Sequence, residues 1–373
     1  MFAPHAAKYL PLVIASVGCE KATLNEFRFP LSAAARSEFL PAGKYELLWK
    51  ASFGSPQGPG ALDRLGFAAA VNGDTLAVAD LGTCSVALYS SVTTGFIKRI
   101  GSCGEGSGEF RTITALSFSG ADLVVYDDIV ASGLILSPAG ESRHFAIREP
   151  GRRNFNSVVI RGNEFIAAGS YVTRSKSASP PLFYVLVGDL ESGAILSRFL
   201  QPPAIARSTK TPLLNTIAWC TPPDTSKPIF VAGNQWHPEI AVWVGNLSAS
   251  PLVASAPSPF GKPRLFVLAG ERLPRFKRVR AGCGREAAIV SFEEVIGKGD
   301  NARIAFTYVA MEYSGEAHVL PVAAGPEGQV PGHVIAATGN TFFFTDSYGR
   351  NGLVNAFELK TTVKRGPNAG LDD

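Results

Sequence analysis

The chain has 373 residues, 46% of them hydrophobic and 18% charged, with 38 Gly and 26 Pro. A formal charge of +4 is small for this length and excludes the broad basic footprint that nucleic-acid binding demands. Abundant Gly and Pro beside Val, Ile, Phe and Thr suit short strands and tight turns, not helices, and closed all-β folds of this length often form one domain.

Residues 1–19 read as a processing signal: Lys8 supplies a weak positive start, and Tyr9-Leu-Pro-Leu-Val-Ile-Ala15 is a short apolar core. That core is too short for a permanent membrane helix, which needs about 20 residues. Ser16-Val-Gly-Cys19 resembles the box of bacterial lipoproteins, with Ser16 where Leu is usual. The resemblance implies export to the periplasm or cell surface and a lipid anchor on Cys19, the chain's one expected tie to a membrane. Residues 20–43, with Leu31-Ser-Ala-Ala-Ala-Arg36 inside, read as an irregular or briefly helical lead-in. A β-propeller is expected over residues 44–363 and a flexible polar tail over 364–373.

A strand–turn–strand unit recurs about every fifty residues, the signature of a propeller built from four-stranded blades. Thr75-Leu-Ala-Val-Ala-Asp80 returns as Asp122-Leu-Val-Val-Tyr-Asp127, then more loosely as Ile229–Asn234, Ala288–Glu293 and Thr341–Asp346. Phe67–Val71, Thr75–Ala79, Ser85–Tyr89 and Phe96–Ile100 make the first complete unit, with Asn72-Gly73 as a hairpin turn. Ile113–Phe118, Asp122–Tyr126, Gly133–Leu136 and Ser142–Ile147 make the second. Diverged units follow over Asn156–Leu200, Leu213–Ala256, Leu265–Val322 and from His333 onward. The last of these lacks an outermost strand, and Tyr45–Ala51 is a strand without a partner. Placing one beside the other closes a ring and leaves no open edge; the count is six antiparallel blades, with five or seven as the alternatives that the diverged later units leave open.

The Gly-rich stretches Gly54-Ser-Pro-Gln-Gly-Pro-Gly60 and Gly101-Ser-Cys-Gly-Glu-Gly-Ser-Gly-Glu-Phe110, with Val78-Ala-Asp80, resemble the NHL-type repeats of six-bladed β-propellers. The likeness covers residues 53–147 and fades after that, Gly325-Pro-Glu-Gly328 being an approximate later connector. It implies the fold; such propellers serve as binding platforms, sensor ectodomains, lyases and lactonases.

An exported chain permits disulfides. If Val86–Tyr89 and Phe96–Arg99 form a hairpin turning near Val92-Thr93, Cys84 stands opposite Gly101 and Cys103 lies within reach of it. Cys220 and Cys283 each precede a copy of the repeat, so they could meet across neighbouring blades; free buried thiols are the alternative for both pairs.

Asp80, Asp127, Asn234, Glu293 and Asp346 end the second strand of their units. There they could ring one mouth of the channel and hold Ca²⁺ or another divalent cation, although no cofactor is required. The competing role, accepting hydrogen bonds from the adjacent turn, is the expected one. Loop residues beyond them are the ligand candidates: Asp128, Tyr171, Trp236, His237, Glu294, Tyr348 and Arg350. The five histidines show no H-x-H or H-E-x-x-H spacing, so no histidine-based metal site is expected. Arg272–Arg280 is the densest positive run; a solvated edge is expected for it, but on an innermost strand Arg278 and Arg280 would share the face toward the channel. There is no G-x-S-x-G, P-loop or dinucleotide fingerprint. These features describe a binding or interaction module for a small molecule, a glycan or an envelope protein. A metal-dependent lactonase-like hydrolase or lyase on the same fold is the alternative, and a purely structural ectodomain a third.

Overall fold

The computed structural model describes residues 35–148, 153–171, 185–199, 216–220, 227–234, 237–245, 250–255, 266–268, 271–273, 276–296, 303–322, 331–346 and 352–362. All regular elements among them are strands, and none of the described residues forms a helix long and apolar enough to cross a membrane.

Strands β1 (Ala35–Leu40) and β2 (Tyr45–Phe53) come first. The first four-stranded sheet holds β3 (Leu65–Asn72), β4 (Thr75–Asp80), β5 (Ser85–Ser90) and β6 (Phe96–Ile100). A short parallel pair, β7 (Ser102–Cys103) and β8 (Glu109–Phe110), folds the Gly-rich connector onto itself. The second sheet is β9 (Ile113–Ser119), β10 (Asp122–Asp127), β11 (Ser132–Leu136) and β12 (Ser142–Ala146). The third is β13 (Arg153–Arg161), β14 (Glu164–Tyr171), β15 (Val185–Asp189) and β16 (Ile195–Phe199). The fourth is β17 (Thr216–Cys220), β18 (Ile229–Gly233), β19 (Glu239–Val244) and β20 (Leu252–Ser255). A separate hairpin, β21 (Phe266–Leu268) and β22 (Glu271–Leu273), precedes the fifth sheet, so that sheet starts later than the repeat pattern suggests. The fifth sheet is β23 (Phe276–Cys283), β24 (Ala287–Ile296), β25 (Arg303–Glu312) and β26 (Ala317–Val319). In the last, β2 lies antiparallel beside β29 (Val354–Thr361), which follows β28 (Thr341–Asp346) and β27 (Pro331–Thr338).

The first strand of each sheet stands beside the first strand of the next: β3 by β9, β9 by β13, β13 by β17, β17 by β23, β23 by β27, and β27 by β3. This is the arrangement of a β-propeller. Each sheet has a neighbour on both faces, so its central strands are apolar throughout instead of alternating with polar residues. On β4, Leu76 and Val78 pack toward the last sheet, whereas Ala77 and Ala79 pack toward the second. On β24, Ala287 and Ile289 face the last sheet while Ala288, Val290 and Phe292 face the fourth.

Residues 35–40 depart from the helical lead-in. Residues Ala35–Glu38 of β1 run parallel to β20, and Phe39 and Leu40 run parallel to β26, so one strand joins the outer edges of the fourth and fifth sheets. Helix propensity in the Ala-rich run is a small preference, and two open edges offering backbone partners outweigh it. Phe39 is buried in the apolar core between those sheets.

Cys84 and Cys103 form a disulfide, with their Cα atoms 4.8 Å apart. The hairpin beside it runs one residue off the expected register, Val86 facing Ile100, and the difference is taken up at an irregularity between Leu88 and Tyr89. Cys84 has a φ of 48°, an uncommon backbone for a residue with a side chain. Gly101, at φ 85°, needs to be Gly for a second reason: a β-carbon there would sit 2.4 Å from the Phe110 ring. Cys283 is also disulfide-bonded; the side chain of Cys220 lies outside the described residues, as does Cys19.

Candidate functional site at the channel mouth

Antiparallel pairing puts the start of each innermost strand and the end of the second strand at one end of the sheet. Leu65 faces Asp80, Ile113 faces Asp127, and Phe276 faces Glu294. The repeated acidic positions and the first residues of the innermost strands therefore share one mouth.

Two of those acids hold their own turns. Asp80 is fully buried and accepts from the backbone N–H groups of Asp63, Arg64 and Gly82, and from Arg99 Nη1 at 2.8 Å. Burial alone would raise its pKa, but these donors outweigh it and hold the carboxyl below its usual range. Asp127 accepts from the N–H groups of Arg111, Thr112 and Ile129. Asn234 bonds Glu239 Oε2 through Nδ2 at 3.3 Å and accepts from the His237 N–H at 3.4 Å. Among the described residues these positions do not assemble three carboxylate or histidine ligands; the group that does is Glu312, Glu316 and His318, elsewhere in the fold.

The loop candidates among the described residues, Asp128, His237 and Glu294, come from three different sheets. Asp128 is half-buried just after β10, His237 is buried in its turn, and Glu294 is half-buried near the end of β24. The side chains of Tyr171 and Asp346, and Trp236, Tyr348 and Arg350 altogether, lie outside the described residues.

What converges at the mouth is a different set. Strand β23 is the innermost of its sheet, not a solvated edge, and alternation sends Val279 into the apolar core while Arg278 and Arg280 take the other face. Their guanidinium carbons lie 4.5 and 5.2 Å from the centre of the ring of Phe67, on β3. Glu293 and Ser291 on β24 stand directly opposite Arg278 and Arg280. Glu293 Oε2 lies 3.7 Å from Arg278 Nη1 and 2.7 Å from Nε2 of His333, on β27. The carboxylate accepts from Nε2–H, which leaves Nδ1 as an acceptor 3.4 Å from Ser291 Oγ. The rings of Phe67 and Phe306 meet the His333 ring edge-on at 5.3 and 5.1 Å, fixing its plane.

The paired guanidinium groups concentrate positive charge at this point of the mouth. Burial pushes the His333 pKa down, the Glu293 bond offsets only part of that, and both arginines push it further down, so the imidazole is neutral near pH 7. Arg280 is pushed down to about 10 by burial and by Arg278, and stays charged at that value. Among the described residues no carboxylate lies within 4.0 Å of Arg280. Among the described residues, Glu293 is thus the carboxylate within 4.0 Å of this pair of guanidinium groups. Ser291 is fully buried, donates to Arg280 O and accepts from Val334 N–H, so its hydroxyl ties strands together.

Sequence reasoning weighed Arg278 and Arg280 but missed Phe67, His333 and Phe306. A signal for two of these existed. Phe67, Arg278 and His333 are each the third residue of an innermost strand, in Leu65-Gly-Phe67, Phe276-Lys-Arg278 and Pro331-Gly-His333. Superposing the repeats on their first strands would have brought them to one level of the channel.

No family model matches the chain, and no curated protein matches it in sequence. Solved structures do resemble it. A Bacteroides fragilis protein described as exported superposes with a TM-score of 0.54 at 9% identity, covering 88% of this chain and 100% of that one. The β-propeller domain of Cps50 from Myceliophteria thermophila gives 0.43 at 11% identity, covering 84% and 99%. Virginiamycin B lyase from Staphylococcus aureus gives 0.47 at 12% identity, covering 86% and 100%. At such identities the likeness is one of chain path.

Proposed function

We propose that this protein is an exported, membrane-tethered six-bladed β-propeller that binds a small anionic ligand at one mouth of its channel. The observation that carries the reading is the pair Arg278 and Arg280 held over Phe67, with Glu293 as their single close carboxylate among the described residues. A guanidinium fork suits a carboxylate or phosphate, and the half-buried rings of Phe67 and Phe306 offer an apolar body a surface. The cycle of innermost strands and the β2–β29 pairing support the reading of six blades closed through β2. Export and a lipid anchor at Cys19 rest on the apolar run 9–15 and the Ser16–Cys19 box, and the disulfides suit an oxidising compartment.

A second reading draws on the His333–Glu293 pair. A neutral imidazole beside two guanidinium groups is placed to move a proton on a bound anion, as a lyase or hydrolase requires. A thermal-shift panel of carboxylates and phosphates at low salt tests the main reading. Stabilisation of the wild type that vanishes in Arg280→Gln supports it; the same shifts in both proteins reject it. Turnover of a stabilising compound, lost in His333→Gln, would move the protein to the second reading.

A further inference from the structure

The end of the fifth sheet opposite the mouth carries a second cluster. Glu312 ends β25 and faces Ala287, Glu316 lies in the turn that follows, and His318 belongs to β26. His318 Nε2 lies 3.2 Å from Glu312 Oε1 and 3.6 Å from Glu316 Oε2, and the three ligand atoms all lie within 4.8 Å of one another. The His318 side chain is only 5% exposed, and its Nε2 makes no hydrogen bond although it points at two carboxylates. A buried ring nitrogen without a bond is costly unless something else takes up its lone pair. Tetrahedral zinc with bonds of about 2.0–2.2 Å requires ligand atoms about 3.3–3.6 Å apart, close to the two distances from His318 Nε2. A cation already sits in the cluster: Lys44 Nζ lies 2.5 Å from Glu312 Oε1 and 3.4 Å from Glu316 Oε2.

We propose that Glu312, Glu316 and His318 form a binding site for a divalent transition metal of the zinc class, with Lys44 as the resident cation that the metal displaces. One imidazole with two carboxylates favours zinc over calcium or magnesium, which take oxygen ligands. Glu316 is 56% exposed and Lys44 40% exposed on their side chains, so metal can arrive and the ammonium can leave into solvent. Tyr45 donates its hydroxyl to Glu312 Oε1 at 2.9 Å and orients that carboxylate. Lys44 belongs to the turn between β1 and β2, so exchange changes how that turn is clasped to the fifth sheet. The absence of paired-histidine spacing hid the site, because its acids lie six and two residues before the histidine, one at the end of β25 and one in the turn before β26.

The test is calorimetric titration of untagged, chelator-treated full-length protein with zinc chloride, and with cobalt chloride for its tetrahedral absorption. One zinc per chain is expected, weakened about tenfold or more in Glu316→Gln and in His318→Gln. Lys44→Gln, which removes the competing ammonium, is expected to bind zinc more tightly than wild type. Glu316 is exposed, so its variant remains informative if the His318 variant fails to fold. No uptake at millimolar zinc by wild type and Lys44→Gln overturns the proposal. So does zinc affinity unchanged in Glu316→Gln.

Discussion

His333 Nε2 lies 2.7 Å from Glu293 Oε2 across the seam between the fifth and last sheets, and both side chains are buried. Burial holds the imidazole pKa below its ordinary 6.5, so the unfolded chain binds a proton near that pH that the folded chain does not. Stability is then complete above 6.5 and falls as pH drops through and below it, by at most about 1.4 kcal/mol per pH unit for this group. Urea midpoints measured between about pH 8 and 5 are expected to decline in wild type and to decline less in His333→Gln. Equal slopes would show that His333 does not carry the linkage.

Asp80 is a turn-holding residue by its bonds, so Asp80→Asn should act on stability. Losing a buried carboxylate paired with Arg99 and three backbone donors is expected to cost about 3 kcal/mol or more. Chemical denaturation measures the loss, and affinity for an anionic ligand is expected to stay within about twofold of wild type. A stable Asp80→Asn variant with altered ligand binding would give this position the ligand role instead.

How much of this was legible in the sequence depended on range. The β3–β6 and β9–β12 units were readable because their apolar runs and turn residues are local and repeat at a fixed period. The role of Asp80 was readable for the same reason, since its partners lie within twenty residues of it. The mouth was not readable, because Phe67, Arg278 and His333 come from opposite ends of the chain and meet only when the ring closes. Strand β1 was misjudged because its partners, β20 and β26, lie more than two hundred residues away, and local propensity says nothing about distant edges.

Phe39 tests the role of β1. Its ring is buried between the fourth and fifth sheets, so Phe39→Ala is expected to cost about 3–5 kcal/mol. Hydrogen exchange should then quicken at the outer strands β20 and β26, whose edges β1 covers, before it quickens at β4 or β10. Uniform loss of protection would show instead that β1 is part of one global unit.

The disulfide between Cys84 and Cys103 closes a loop 19 residues long, for which chain entropy suggests a contribution of about 3 kcal/mol. Mass mapping without reduction should return that pair and a second disulfide containing Cys283, with Cys220 the partner expected from its place in the repeat. Cys84→Ser with Cys103→Ser should lower the denaturation midpoint without changing the anion site. A fully reduced protein from an oxidising host would contradict the assignment.

The central claim is that Arg278 and Arg280 over Phe67 make the mouth an anion site. Calorimetric titration of the mature protein at low salt with benzoate, a planar anion with an apolar body, tests it most directly, with cyclohexanol as the uncharged control. Saturable benzoate binding that weakens about tenfold or more in Arg280→Gln and persists in Asp127→Asn is the predicted result. Binding to wild type that is unchanged in Arg280→Gln, or equal affinity for benzoate and cyclohexanol, would contradict it.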